Sequence, residues 1–305
     1  MSVRKLGCNM SESMNEGHIH SIAFPFIFVM LYGTGFVGAK YGLPYAEPVT
    51  FLVWRFAIAA CVVAGIGLFF KANWPKSWRE AFHISVAGML TVGTFSLGVF
   101  VAIDMGLSPA LSALIIALQP VLVAVVARRM LGESLKLFQW LGLVFGLIGI
   151  VFVVSQKLDF TSVHMTGLGM AVIGLLGLSF GNLYQKRFCA DMNIFSGGAI
   201  QSFASCVMCL PFAFAFETMQ VEWSVQFIGA LGYMSIGVSV GALSLLYVMI
   251  RRGEVSRVAS IFYFVPVSAA LVSSFLFEEK IDLPVAIGIS ITALGVMLVN
   301  RQSKK

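Results

Sequence analysis

Charge is scarce in this sequence and acidic charge scarcest: 14 Asp and Glu stand among 305 residues, and charged residues make up 11% of the chain. Soluble domains carry about 25% charged and 45–50% apolar residues, whereas here 59% are hydrophobic and the mean hydropathy is +0.92. No soluble core of this size hides that much apolar surface, so lipid must solvate most of the chain. No Asp or Glu falls clearly inside an apolar run; Asp104, Glu133, Glu217 and Glu279 all stand at ends. A phosphate-cradling GxxxxGK[ST] loop is also missing, which excludes ATP-driven pumping of that kind. The five cysteines (Cys8, Cys61, Cys189, Cys206, Cys209) form an odd count with no framework spacing, so no disulfide scaffold is implied. Cys206-x-x-Cys209 has redox or zinc spacing, but it lies in an apolar run without a second ligand pair and reads as small-residue packing. No metal site and no cofactor are implied.

Basic residues outnumber acidic ones, giving a net charge of +6 and a pI near 9.1. That balance suits nucleic acid only when the basic residues share one face. Here they sit in short connections between apolar runs, so no nucleic-acid partner is expected. The opening "MSVRKLGCNMSESMNEGHIH" is a polar tail. Its Leu6-Gly7-Cys8 resembles a lipoprotein cleavage box but lacks the preceding apolar region. His18 and His20 belong to the same tail.

A helix needs roughly 20 apolar residues to cross the hydrocarbon layer. Runs of that kind cover 22–40, 49–70, 83–103, 109–127, 137–155, 166–185, 195–216, 227–250, 256–277 and 283–300. They do not alternate as barrel strands do, and the 30 Gly suit closely packed membrane helices. The expected fold is an all-α integral membrane protein with ten transmembrane helices. With the N-terminus inside, sixteen of the 20 Lys and Arg fall in cytoplasmic segments, while Lys40, Lys157 and Lys280 fall outside and Arg55 within a run. Lys/Arg bias sets orientation, so both termini are expected in the cytoplasm of a multi-pass protein, with a bacterial inner membrane as its location.

Two stretches repeat one outline: "LQPVLVAVVARRMLGES" from Leu118 and "FVPVSAALVSSFLFEEK" from Phe264. Pro266 follows Pro120 by 146 residues, and the same offset pairs Glu133 with Glu279, Gly142 with Gly288, Gly149 with Gly295, Gly35 with Gly181 and Lys40 with Lys186. One offset across first and fifth helices implies two five-helix repeats, 22–155 and 166–300, between a tail at 1–21 and another at 301–305. An odd number of spans per repeat inverts the second copy. Inverted repeats can exchange conformations, which yields inward- and outward-open states around one shared site.

The stretches "GAKYGLPYAEPVTFLVWRF", "ALIIALQPVLVAVVARRMLGESL" and "LGLVFGLIGIVFVV", with their echoes in the second half, resemble the EamA-type ten-helix members of the drug/metabolite transporter superfamily. Proline followed thirteen residues later by Gly-Glu or Glu-Glu, then a glycine-rich last helix, carries the resemblance. In the second half Glu278-Glu279 replaces Gly-Glu, and "IRRGEVSR" is unusually basic. The resemblance implies an exporter or exchanger of small organic metabolites, such as amino acids, nucleotide-like metabolites or amphipathic toxicants.

Polar groups inside apolar runs are the candidate substrate-binding residues. Arg55 lies about seven residues into its run, roughly 10 Å deep at 1.5 Å per residue. It can hold a carboxylate or phosphate, snorkel to the outer interface, or cap a neighbouring helix; Lys40 could extend its field. Gln119 precedes Pro120, which leaves the Ile116 carbonyl without its usual partner, as Pro266 does for Phe262. These two kinks either open a polar notch or serve packing. From the second half, Asn182, Gln185 and Gln201 lie inside runs, and Gln201 is the counterpart of Arg55 at the 146 offset. Tyr184, Tyr247 and Tyr263 either line the path or anchor at interfaces, as does Trp54 beside Arg55. Ser239 and Ser244 read as packing serines.

These features point to a secondary transporter working by alternating access, with amino acids the leading cargo and a monomer or homodimer in the membrane lipid. Without a buried carboxylate, exchange or efflux down a gradient, or coupling through an end-lying group, is favoured over an antiporter with a buried proton carrier. Cationic drugs, which need a buried anion or aromatic cage, fit less well than neutral or zwitterionic solutes. The rival is a membrane-embedded sensor or enzyme, which would need a catalytic cluster such as His and carboxylates converging on one membrane face; His83 and His164 are far apart and fall on opposite faces.

Overall fold

A computed structural model describes residues 23–35, 38–39, 41–107, 109–155, 165–277 and 283–301. The helices follow one another as α1 (Ala23–Gly35), α2 (Pro48–Phe69), α3 (Trp78–Asp104), α4 (Leu111–Leu131), α5 (Leu137–Val154), α6 (Met165–Phe188), α7 (Ile194–Phe216), α8 (Val225–Arg252), α9 (Val255–Phe277) and α10 (Leu283–Asn300). Eight of these are long and apolar enough to cross a membrane. The apolar stretches Ala23–Gly35 and Val255–Ser268 are shorter. Among the described residues the one β feature is an isolated bridge between Ala46 and Val221. Cys8, His18, His20, Lys40, Lys157, His164, Glu279 and Lys280 lie outside the described residues.

Helix starts follow local chemistry. Pro48 occupies the first turn of α2, where its missing N–H costs nothing. Ser77, Asn193 and Ser224 accept backbone N–H bonds at the starts of α3, α7 and α8. Interior irregularities are placed equally systematically. α4 breaks at Ala117–Leu118, just before Pro120, and α9 breaks at Phe262–Tyr263, just before Pro266. These breaks correspond at the 146 offset to within one residue. The helix bonding also widens to π geometry at Met89–Thr94 in α3 and Tyr233–Ala242 in α8. Shifted by 146, the first of these falls inside the second. The Thr94 side-chain hydroxyl also donates to the carbonyl of Met89, five residues back, at 2.8 Å.

Two helix pairs join the halves most extensively. α5 crosses α10 through glycines: a Cβ on Gly295 would stand 2.6 Å from the Gly142 carbonyl, and one on Gly288 2.6 Å from that of Gly149. Gln139 on α5 also donates to the Val299 carbonyl at 2.9 Å. α2 runs against α7, where the Cys206 thiol lies 3.6 Å from the Val53 carbonyl. Cys206 and Cys209 are both buried free thiols in this packing, and no cluster of metal ligands occurs among the described residues.

The connections sort onto two faces. On the first, Glu47 accepts from the Thr218 N–H and hydroxyl, Glu217 accepts from Val49 and Thr50, and Ala46 bridges Val221. On the second, Lys186 donates to the carbonyls of Ile250, Arg251 and Gly253, closing the end of α8. Arg187 reaches the Met130 carbonyl and Ser196 the Asn73 carbonyl on that same face. Among the described residues, every Lys and Arg except Arg55 belongs to the second face.

Candidate functional site

Arg55 is drawn inward by the packing of α2. Its residue is 5% exposed, so its head does not reach an interface, and its Nε donates to the Ser239 hydroxyl at 2.9 Å. The guanidinium carbon stands 5.5 Å from the ring centre of Phe56. A cavity of about 30 Å³ adjoins it, bounded by Tyr32, Phe95, Ser96, Met234 and Val238. That volume holds one or two waters. The Tyr32 hydroxyl points into this region, buried and without a hydrogen-bond partner. Among the described residues the ion pair formed is Arg257 with Glu254 at 2.7 Å, and Arg55 has no carboxylate partner. Burying a cation costs several kcal/mol unless an anion compensates it. The arrangement is chemically suited to receive one.

The counterpart position builds a second polar layer from neutral groups. Gln201 Nε2 donates to Gln185 Oε1 at 2.6 Å, and Gln185 Nε2 reaches the Met192 sulfur at 3.3 Å. Gln201 Oε1 and Asn182 Oδ1 are buried without partners. Gln201 packs against the backbone of α3 at Gly88, whose carbonyl also accepts from the Ser205 hydroxyl at 3.1 Å. Arg55 and Gln201 thus enter the interior from opposite faces, each seven residues into its helix.

The remaining sequence candidates are dispersed. Gln119 is fully buried in the first turn after the α4 break, and neither of its amide atoms has a partner. At the α9 break the Phe262 carbonyl, deprived of the N–H that Pro266 lacks, accepts instead from Val265 at 3.0 Å. The buried Tyr263 hydroxyl donates to the Leu143 carbonyl at 3.0 Å, and its ring fills the space over Gly146. Tyr184 meets His83 Nδ1 at 2.6 Å near the second face, where the His83 ring stacks on Phe188. Trp54 is 41% exposed and packs edge-on against Trp223 near the first face. Lys40 lies outside the described residues.

Sequence reading overlooked Tyr32 and Ser96 and took Ser239 for packing. A signal was present nonetheless. At the 146 offset, Tyr32 corresponds to Leu178, Arg55 to Gln201, Ser96 to Ala242, and Ser239 to Gly93. The pocket is assembled where the two copies differ in polarity.

Fold and pocket define a multi-pass α-helical membrane protein with a buried cationic pocket. The profile of the EamA-like transporter family matches this chain twice, over residues 20–155 and 165–301. The chain belongs to the EamA-like transporter family. Uncharacterized transporter YvbV of Bacillus subtilis (strain 168) is 25% identical over 287 residues, spanning 90% of each chain. Uncharacterized transporter YyaM of the same organism is 28% identical over 284 residues, covering 89% of this chain and 92% of that one. The chloroplastic triose phosphate/phosphate translocator of Flaveria trinervia is 27% identical over 192 residues, or 60% of this chain and 46% of that one. A solved crystal structure superposes with a TM-score of 0.77 at 17% identity, covering 91% of this chain and 96% of that one, so the fold itself is shared. The protein is accordingly a membrane transporter of small molecules, and its kinship points away from an enzyme.

Proposed function

We propose that this transporter moves small organic metabolites bearing an anionic group, with amino acids the leading class, by alternating access between two inverted five-helix halves. The observation that carries the cargo class is Arg55: a buried guanidinium, bonded to Ser239 and lacking a carboxylate partner among the described residues. In a low-dielectric interior such a charge attracts an anion strongly. The chloroplastic relative, named for triose phosphate and phosphate, also carries anions by its name. Asn182, Gln119 and Gln201 supply unpartnered amide atoms for the remainder of the solute or for its path. The breaks at Pro120 and Pro266 let each half bend around that path.

In this reading the shorter helices α1 and α9 complete ten crossings. The second face, which bears the basic connections, is cytoplasmic by the charge rule. Both termini then lie in the cytoplasm of a bacterial cell, with the protein in its inner membrane. Exchange or efflux down a gradient needs no buried proton carrier. One chain contains both halves, so a monomer suffices.

Counterflow in proteoliposomes tests the proposal. Vesicles preloaded with an unlabelled amino acid or phosphorylated metabolite should accumulate the labelled one. Absence of flux with every anionic or zwitterionic solute tried sinks the transport reading and leaves the sensor or enzyme alternative.

A further inference from the structure

We infer that Glu133 is the clasp closing the path on the second face, and that its release is a step of the transport cycle; the inference rests on the alternating-access reading above. Glu133 follows α4 in the first half, yet both its oxygens hold the start of α9 in the second. Oε1 accepts from the Val255 N–H at 2.9 Å, while Oε2 accepts from the Ser256 N–H at 3.1 Å and the Ser256 hydroxyl at 2.8 Å.

A near-identical clasp on the first face provides the internal comparison. Glu217 accepts from the Val49 N–H at 2.8 Å, from the Thr50 N–H at 2.6 Å and from the Thr50 hydroxyl at 2.7 Å. The two differ in what the clasped helix does next. α2 continues unbroken against α7: Cys206 lies against Val53, a Cβ on Gly198 would be 3.5 Å from Val63, and one on Gly67 3.4 Å from Phe195. Releasing Glu217 leaves that seam intact, so this clasp only finishes a rigid pair.

α9 behaves differently. Its first segment, Val255–Ile261, ends at the Phe262–Tyr263 break, and α4 is itself broken at Ala117–Leu118. Both partners of the Glu133 clasp are therefore mounted on short segments that turn at proline-marked breaks. Hinges of a few residues at element ends are the usual site of such movement. Ala127 is fully buried on the α4 segment that packs against the first segment of α9, in one core with Val255, Val258 and Ala259. Parting α4 from the α9 segment would expose it.

The test uses the full chain with its native cysteines replaced and Ala127→Cys introduced, reconstituted in vesicles. A membrane-impermeant maleimide is applied from each side. Glu133→Gln should raise the labelling rate about tenfold from the second-face side only, a shift in the range that loss of charged hydrogen bonds produces. Glu217→Gln should leave the rate unchanged. An equal rise in both variants means general loosening and overturns the clasp, as does no rise in Glu133→Gln. If Glu133→Gln is not recovered folded, Ser256→Ala carries the test: about a threefold rise is expected, and an unchanged rate overturns the inference. Counterflow by the unsubstituted protein separates the two failures. Flux with unchanged labelling removes the clasp alone, whereas absence of flux removes the transport reading and the clasp with it.

Discussion

Arg55→Gln is the substitution that separates a binding cation from a structural one, because the two roles predict opposite signs for stability. Arg55 is 5% exposed, and among the described residues its guanidinium makes a single hydrogen bond, from Nε to Ser239 at 2.9 Å. A charge held this way costs several kcal/mol of desolvation that one neutral hydroxyl does not repay. Removing it should stabilise the empty protein by about 1–2 kcal/mol. At roughly 2–4 °C per kcal/mol in a chain of this order, the melting temperature should rise by several degrees. Cargo binding should move the other way. Hydrogen bonds to charged groups contribute about 1.5–3 kcal/mol, so affinity for an anionic solute should fall roughly 10- to 150-fold. Thermal shift with and without cargo, together with counterflow rates over a concentration series, reads both quantities. Arg55→Lys should recover part of the affinity, since it keeps the charge but loses the planar fork. Unchanged affinity together with a lower melting temperature would refute the reasoning and make Arg55 a helix-packing residue.

Three further substitutions probe the scaffold. Gly295→Ala forces a Cβ to within 2.6 Å of the Gly142 carbonyl and should cost about 1–3 kcal/mol by overpacking. Gly65→Ala, with nothing within 4 Å of the added carbon, should be neutral or stabilise by up to about 1 kcal/mol through helix propensity. Thermal unfolding in detergent compares them, and equal effects would contradict the α5–α10 crossing. Gln139→Leu removes the bond to the Val299 carbonyl between the same helices and should destabilise by about 1–3 kcal/mol while leaving the cargo's KM unchanged in counterflow.

Much of this architecture could be read in advance from apolar run length, because lipid leaves the chain few alternatives to the helix. The run assigned to 83–103 is a helix from Trp78 to Asp104. Its first turn was missed because Arg79 and Glu80 are polar and exposed there, so hydropathy starts later than hydrogen bonding does. Pro120 and Pro266 announced both interruptions, since a missing N–H is a local property. The π stretches announced nothing, because "MLTVGT" and "YMSIGVSVGA" differ little in composition from the α-helix around them. At the site, Arg55 was conspicuous as a charge in an apolar run. Tyr32, Ser96 and Ser239 are ordinary membrane-helix residues that gain meaning only when folding brings them to Arg55. Glu133 and Glu217 stood out as end-lying carboxylates, but each bonds to a residue more than 100 positions away, and that partnership is purely tertiary.

The paired π stretches have a consequence for how this pocket can be lost. A π turn accommodates an extra residue relative to α geometry, so every side chain beyond it is rotated by roughly 100° from its α-helical bearing. Ser96 follows the stretch at Met89–Thr94, while Met234, Val238 and Ser239 lie inside the one at Tyr233–Ala242. The inward aim of these pocket walls is thus a matter of phase. Deleting a single apolar residue from Met89–Thr94 would turn Ser96 away from Arg55 without altering any polar group. A scan confined to substitutions would never detect that dependence.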